Sequence, residues 1–161
     1  MKKFVFTLLL VFVCHLGYAQ GINGLFNEFG SEKNADCVKV SSFMMSLGKM
    51  FAGHDEDAKI IRKIKSIKVL DLESCTASVK ERFNKKVNKL NLKGYDELMR
   101  VNDEGEKVRV LMKTKKETIR ELLFVCTGKE DCTLVQINGK FTKDDIDKLV
   151  NQETKKKHGR R

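Results

Sequence analysis

Residues 95–138 read YDELMRVNDEGEKVRVLMKTKKETIRELLFVCTGKEDCTLVQIN, and the alternation within them decides the fold. Along Tyr95–Asn102, Lys107–Lys113, Thr118–Cys126 and Cys132–Asn138 the apolar positions recur every second residue, the period of a strand. Asp103-Glu104-Gly105 separates the first two runs, and Thr127-Gly128-Lys129-Glu130-Asp131 is a hairpin-sized loop before the last. Strands spaced in this way predict an antiparallel meander, which Asn138-Gly139 is expected to close.

On the N-terminal side the period is helical. Ile22, Leu25, Phe26 and Phe29 form one stripe; Phe43, Met44, Leu47, Met50 and Phe51 form another within Ser41–Phe51. Val79, Phe83, Val87 and Leu90 recur at helical spacing in Thr76–Leu90, with Lys80, Lys85, Lys86 and Lys89 around them. Cys37–Val40 and the stretch from Ile67 to Asp71 read as short strands. His54-Asp55-Glu56-Asp57 has the residue types of a metal cluster. Acids just before an apolar-periodic run are nevertheless what a helix N-terminus favours, so Asp55 reads as the cap of a helix running to about Ile64. Beyond the meander, Thr142 and Asp145 have the spacing of a weaker capping box for a closing helix through Val150. Helices, then a meander, then a helix specify an α+β class: an antiparallel sheet of four to five strands with helices packed mainly on one face.

Pairing each hairpin symmetrically about its turn sets Val101 against Val108, Met112 against Ile119 and Cys126 against Cys132. One face then collects Tyr95, Met99, Val101, Val108, Val110, Met112, Ile119, Leu123, Val125, Val135 and Ile137 as the helix-covered core, with Glu121 as its odd member. The other face, with Arg100, Arg109, Leu111, Arg120, Leu122, Phe124 and Leu134, is mixed and basic. Arg100 opposes Arg109 there, which is unfavourable unless an anion sits beside them. That face either binds an acidic partner or lies under the helix Ile22–Phe29. A one-residue slip would redistribute every side chain.

The chain has 161 residues, 41% hydrophobic and 34% charged, no proline and no tryptophan. This composition fits one globular domain and argues against disorder or several membrane spans. Lys2 and Lys3, the apolar run Phe4–Val13 and the small residues before Gln20 read as a signal peptide over 1–19. Cys14 follows Val13, not the small residue that lipoprotein processing requires. The expected domain covers 20–153 and a basic, disordered tail covers 154–161. Of 32 bases, Lys2, Lys3 and five in the tail fall outside the domain, leaving 25 against 22 acids.

Cys37, Cys75, Cys126 and Cys132 survive processing, an even number in an exported chain. Cys126 and Cys132 are the candidate disulfide; the alternative is two reduced, half-buried thiols. Their spacing is not that of a zinc site, and no metal or other cofactor is expected. No GxSxG elbow, Walker loop, GxGxxG turn or HExxH motif occurs, and the acid pairs Asp103-Glu104 and Asp144-Asp145 fall where a turn and a helix start want carboxylates. The sequence is that of a non-enzyme.

The segment from Lys93 to Val108 (KGYDELMRVNDEGEKV), with Ile119-Arg120-Glu121-Leu122 and the Asn138-Gly139 pair, resembles the bacterial family catalogued as domain of unknown function 4252. The resemblance implies a small exported α+β protein of Gram-negative bacteria. It carries over no activity and no catalytic residues, and the four cysteines and basic tail are not part of its pattern. The expected role is an exported envelope module in the periplasm or cell envelope that binds an unidentified envelope protein. Two alternatives are a binder of an anionic or membrane surface, using the tail, helix lysines and Arg100, Arg109 and Arg120, and a thiol-redox protein using Cys126 and Cys132. Neither a small-molecule substrate nor nucleic acid is expected.

Overall fold

A computed structural model describes residues 21–51 and 56–148, with side chains described outside 47–58. The expected signal peptide, His54, Asp55, Leu149, Val150 and the tail lie outside the described residues. In chain order the elements are α1 (Ile22–Phe29), β1 (Asp36–Val40), α2 (Ser42–Phe51), α3 (Glu56–Lys63), β2 (Ile64–Asp71), α4 (Ala77–Asn88), β3 (Asp96–Asp103), β4 (Glu106–Lys115), β5 (Thr118–Thr127) and β6 (Thr133–Phe141), followed by helical residues 143–148. The class is α+β. The strands form one antiparallel sheet in the order β1-β2-β6-β5-β4-β3, six strands where four to five were expected, because both N-terminal strands join the sheet beyond β6.

The larger core lies on one sheet face. Leu70, Leu111, Leu123, Val125 and Leu134 point there and meet Ile22, Leu25, Phe26 and Phe29 of α1 and Val79, Phe83 and Val87 of α4. Phe29 and Phe83 meet edge-to-face with centroids 5.4 Å apart, a geometry that suits the ring quadrupoles. Burying twelve such side chains contributes most of the folding drive, about 1.5–3 kcal/mol each relative to exposure. On the opposite face a smaller cluster joins Ile60 of α3 to Ile119, Leu122 and Phe141, with Met112, Ile137 and Ile146 packed against it.

The strand register differs from the symmetric expectation. The β3–β4 hairpin is as expected, with Val101 opposite Val108 and Arg100 opposite Arg109. Glu104 and Gly105, at φ 44° and 92°, turn it in the left-handed region that a type I′ turn requires. In the next hairpin Met112 faces Leu122, not Ile119: both strands run longer, Lys116 takes φ 50° in a tighter turn, and a register irregularity falls between Lys113 and Thr114. In the last, Cys126 faces Thr133 rather than Cys132. The covered face is consequently not the one expected. Leu123 and Val125 stay in the main core, while Met99, Val101, Val108, Val110, Met112, Val135 and Ile137 occupy the other side with Leu122 and Phe124.

Asn138-Gly139 does not close the meander, because β6 continues through both to Phe141. Gly139 sits opposite Ile64, and a Cβ there would stand 2.5 Å from the Phe141 ring and 2.7 Å from the Lys63 carbonyl oxygen. Close approach, not a turn, is the reason for glycine.

The Thr142 capping box forms. Asp145 accepts from the Thr142 backbone N–H (2.7 Å) and hydroxyl (2.8 Å), and its own N–H donates to Thr142 Oγ1 (3.3 Å). Lys63 Nζ donates to both carboxylate oxygens at 2.6 Å, tying the end of α3 to the closing helix. Burial alone would raise the Asp145 pKa, but the Lys63 and Thr142 bonds outweigh it and hold the carboxyl below its usual range. Its stabilising contribution is therefore complete above the ordinary carboxylate pKa and is lost as pH falls below it. Asp145→Ala is expected to cost about 1–3 kcal/mol at neutral pH, with a smaller difference from the parent in acid. Denaturant titration at both pH values measures this; an equal loss at both would contradict it.

Candidate functional site

The sequence-predicted residues do not share one surface. Arg100 and Arg109 are neighbours at the β3 edge, on the face that α1 and α4 cover further along. Leu111 and Leu134 lie on that face but are buried in the main core. Leu122 and Phe124 point the other way, Leu122 into the smaller cluster and Phe124 37% exposed. Arg120 falls in the irregularity between Ile119 and Glu121, its Nε buried without a hydrogen-bond partner. The β5 register produces this division: shifting it against β4 exchanges odd for even positions.

The expected Arg100–Arg109 repulsion is answered from within the chain. Arg100 donates Nε and Nη2 to the two oxygens of Glu97, and Arg109 donates Nε to Glu97 Oε2, each at 2.8 Å. Glu97 reaches both because of the register irregularity between Glu97 and Met99 in β3. The Arg100 bond, joined by that of Arg109, holds the Glu97 carboxyl at about 2, well below the ordinary value. The anion that an external partner was expected to supply is already present.

Glu121 likewise has partners. Tyr95 donates its hydroxyl to Glu121 Oε1 at 2.6 Å and Gln136 donates its amide to the same oxygen at 2.7 Å. Lys113 lies over the Tyr95 ring, 5.4 Å from its centroid. Burial, with the Glu121 acceptor, pushes the Tyr95 hydroxyl pKa upward, so it serves as a fixed donor.

The basic side of α4 is also spoken for. Lys86 donates to Glu28 of α1 at 2.6 Å, Arg82 pairs with Glu32, and Lys85 pairs with Glu81 within α4. Lys80 is buried and donates to the Glu130 carbonyl at 2.8 Å.

All four described cysteines are free thiols. The expected Cys126–Cys132 bridge is not formed, because the residues are not cross-strand partners. Cys132 turns toward α4, near Asn84 Oδ1 (3.3 Å) and the Gly128 carbonyl (3.4 Å), while Cys126 lies 3.8 Å from the Asp131 carbonyl. Burial raises the pKa of Cys75, Cys126 and Cys132, which leaves little thiolate near neutral pH. No cluster of three metal-ligating side chains occurs among the described residues, nor is any described helix long and apolar enough to cross a membrane.

One surface escaped the sequence reading. Val38, Val69, Val135, Phe124, Val110 and Met99 are successive cross-strand partners, one from each strand, and so form an apolar row across the whole sheet. At about 4.8 Å per strand the row is roughly 24 Å long. Val38 is 55% exposed, Met99 49% and Val101, one step along β3, 45%. The outer face of an antiparallel sheet is ordinarily polar, which sets this row apart; its ends are exposed, while Val110 within it is 8% exposed. The signal was legible in the valine alternation but invisible without the correct register.

The family model for the domain of unknown function 4252 matches residues 29–149, from the end of α1 through the closing helix. The chain belongs to that family. No curated protein and no solved structure matches it. For this family member the match spans both sheet faces and includes the whole apolar row.

Two measurements check the site. In an NMR titration the Glu97 carboxyl should titrate near 2, so that its contribution, complete above the ordinary value of 4.5, is lost only as pH falls toward 2; a midpoint near 4.5 would break the arginine clamp. Denaturing alkylation should modify Cys37, Cys75, Cys126 and Cys132 equally with and without reductant, as free thiols require. A mass that shifts only after reduction would restore the bridge.

Proposed function

We propose that this protein is an exported, non-catalytic envelope module that binds protein through the outer face of its sheet. The supporting observation is the apolar row from Val38 to Met99, with the exposed Val101 beside it. A surface of this kind suits a flat, apolar partner. Export rests on the basic start, apolar run and small residues of 1–19, and the absence of nucleophile and cofactor motifs supports a binding role over catalysis.

The alternatives lose support. Glu28 and Glu97 already engage Lys86, Arg100 and Arg109, three of the cations expected to hold a polyanion. Burial disfavours the thiolates that redox chemistry needs.

The test is methionine oxidation at Met99. In cells the rate should be several-fold slower than in dilute purified protein, because a partner covers the face. Equal rates in the two settings would remove this reading.

A further inference from the structure

Cleavage after Ala19, the bond that the export reading singles out, leaves Gln20 as the first residue of the processed chain. The fold begins almost at once. Gly21 is the N-cap of α1, its carbonyl accepts from the Gly24 N–H at 2.8 Å, and Ile22 is already 8% exposed in the main core. The new α-amine therefore stands within two residues of a helix N-terminus, where unpaired N–H groups and aligned peptide dipoles put partial positive charge. The first turn of α1 holds no acid, and Gly21 supplies no side-chain cap. Lys68 brings an ammonium to the same turn, donating to Asn23 Oδ1 at 2.7 Å, and Lys39 is its cross-strand partner on β1. Glu28 lies in the opposite turn of the helix, engaged by Lys86. A terminal cation is poorly placed at this end of α1.

We infer that Gln20 closes on itself to pyroglutamate, so that the processed chain starts with a neutral lactam at the head of α1. The inference rests on the export reading above, because processing after Ala19 is what frees the amine. The α-amine nitrogen attacks the side-chain amide carbon Cδ and forms the new N–C bond of a five-membered ring. The bond from Cδ to the amide nitrogen breaks, and that nitrogen leaves as ammonia with a proton taken from the amine. No oxidant, cofactor or second substrate takes part. Positive surroundings favour the neutral amine, the form that attacks. Glutamine is the residue the step needs: asparagine would close a strained smaller ring, and the carboxylate of glutamate is a poor acceptor for the amine. Gly21 beside it is exposed and has no side chain to obstruct the closure. The lactam removes a charge that opposes the dipole of α1, as N-terminal acylation does elsewhere.

Mass spectrometry of the N-terminal peptide tests this, on protein recovered from cells that express the full chain. Free amines are dimethylated at lysis, so that cyclisation during digestion is not counted. The first peptide should begin at residue 20, lighter than its sequence mass by one ammonia and without the label. A peptide that begins at Gln20 and carries the label on its α-amine would overturn the inference while leaving export standing. A chain that starts elsewhere would overturn both the processing after Ala19 and the inference, and a start at Met1 would take the export reading with them. Gln20→Ala should be cut at the same bond and accept the label; a blocked terminus there would assign the block to another modification and overturn the inference. Because it keeps its ammonium, this variant should also unfold about 1–4 °C below the parent. Equal unfolding temperatures would overturn the role given to the lactam.

Discussion

The pairing of β4 with β5 determines what every other surface of the molecule is. With Leu111 opposite Leu123 and Arg109 opposite Val125, two central strands offer Leu111, Leu123 and Val125 to α1 and α4 and turn Val110, Leu122 and Phe124 outward. Because both faces of these strands are apolar, hydrophobicity alone does not choose between the two arrangements. The choice falls to the helices. Phe26 and Phe29 of α1 and Phe83 of α4 fill the space above Leu123 and Leu134, and Gln136 reaches Glu121 on that same side. Sliding β5 by one residue would turn Glu121 to the outer face, away from its donors Tyr95 and Gln136, and would put Leu122 and Phe124 under the helices in place of Leu123 and Val125.

Electrostatics then follow the packing. Docking α1 beside α4 places Glu28 and Glu32 against Lys86 and Arg82, so a helix that reads as strongly basic in isolation is close to neutral in place. The Glu97 carboxylate does the same for two arginines that sheet pairing forces together. These exposed pairs add little stability singly, but they remove like-charge repulsion that the register would otherwise impose.

Much of this fold is legible from periodicity. The helix over Ile22–Phe29, the four strands of the meander and the Thr142–Asp145 cap all lie where their spacing puts them. What spacing does not carry is register, since a left-handed Lys116 and three ladder irregularities shift the pairing by a residue or more without altering the alternation along any strand. The binding face expected around Arg100, Arg120 and Phe124 mixed two sides of the sheet for that reason. Asn138-Gly139 misled in a related way: a dipeptide typical of turns here serves a crossing too tight for any Cβ.

The way the sheet treats its edges separates protein contact at a face from contact at an edge. β3 is an edge strand of eight residues, every one exposed, the kind of strand that invites pairing with another chain. It is guarded by the irregularity at Glu97/Met99 and by Asp96, Glu97, Arg100 and Asp103, half of its eight positions. β1, at the other edge, is only five residues long and carries Asp36 and Lys39. Short length, charge and a broken ladder are the usual defences against unintended strand addition. No corresponding defence interrupts the row from Val38 to Met99, where a single lysine at Val135 or Phe124 would suffice. Charge, short length and a broken ladder thus guard both edges of the sheet, whereas the row across its outer face is apolar from Val38 to Met99.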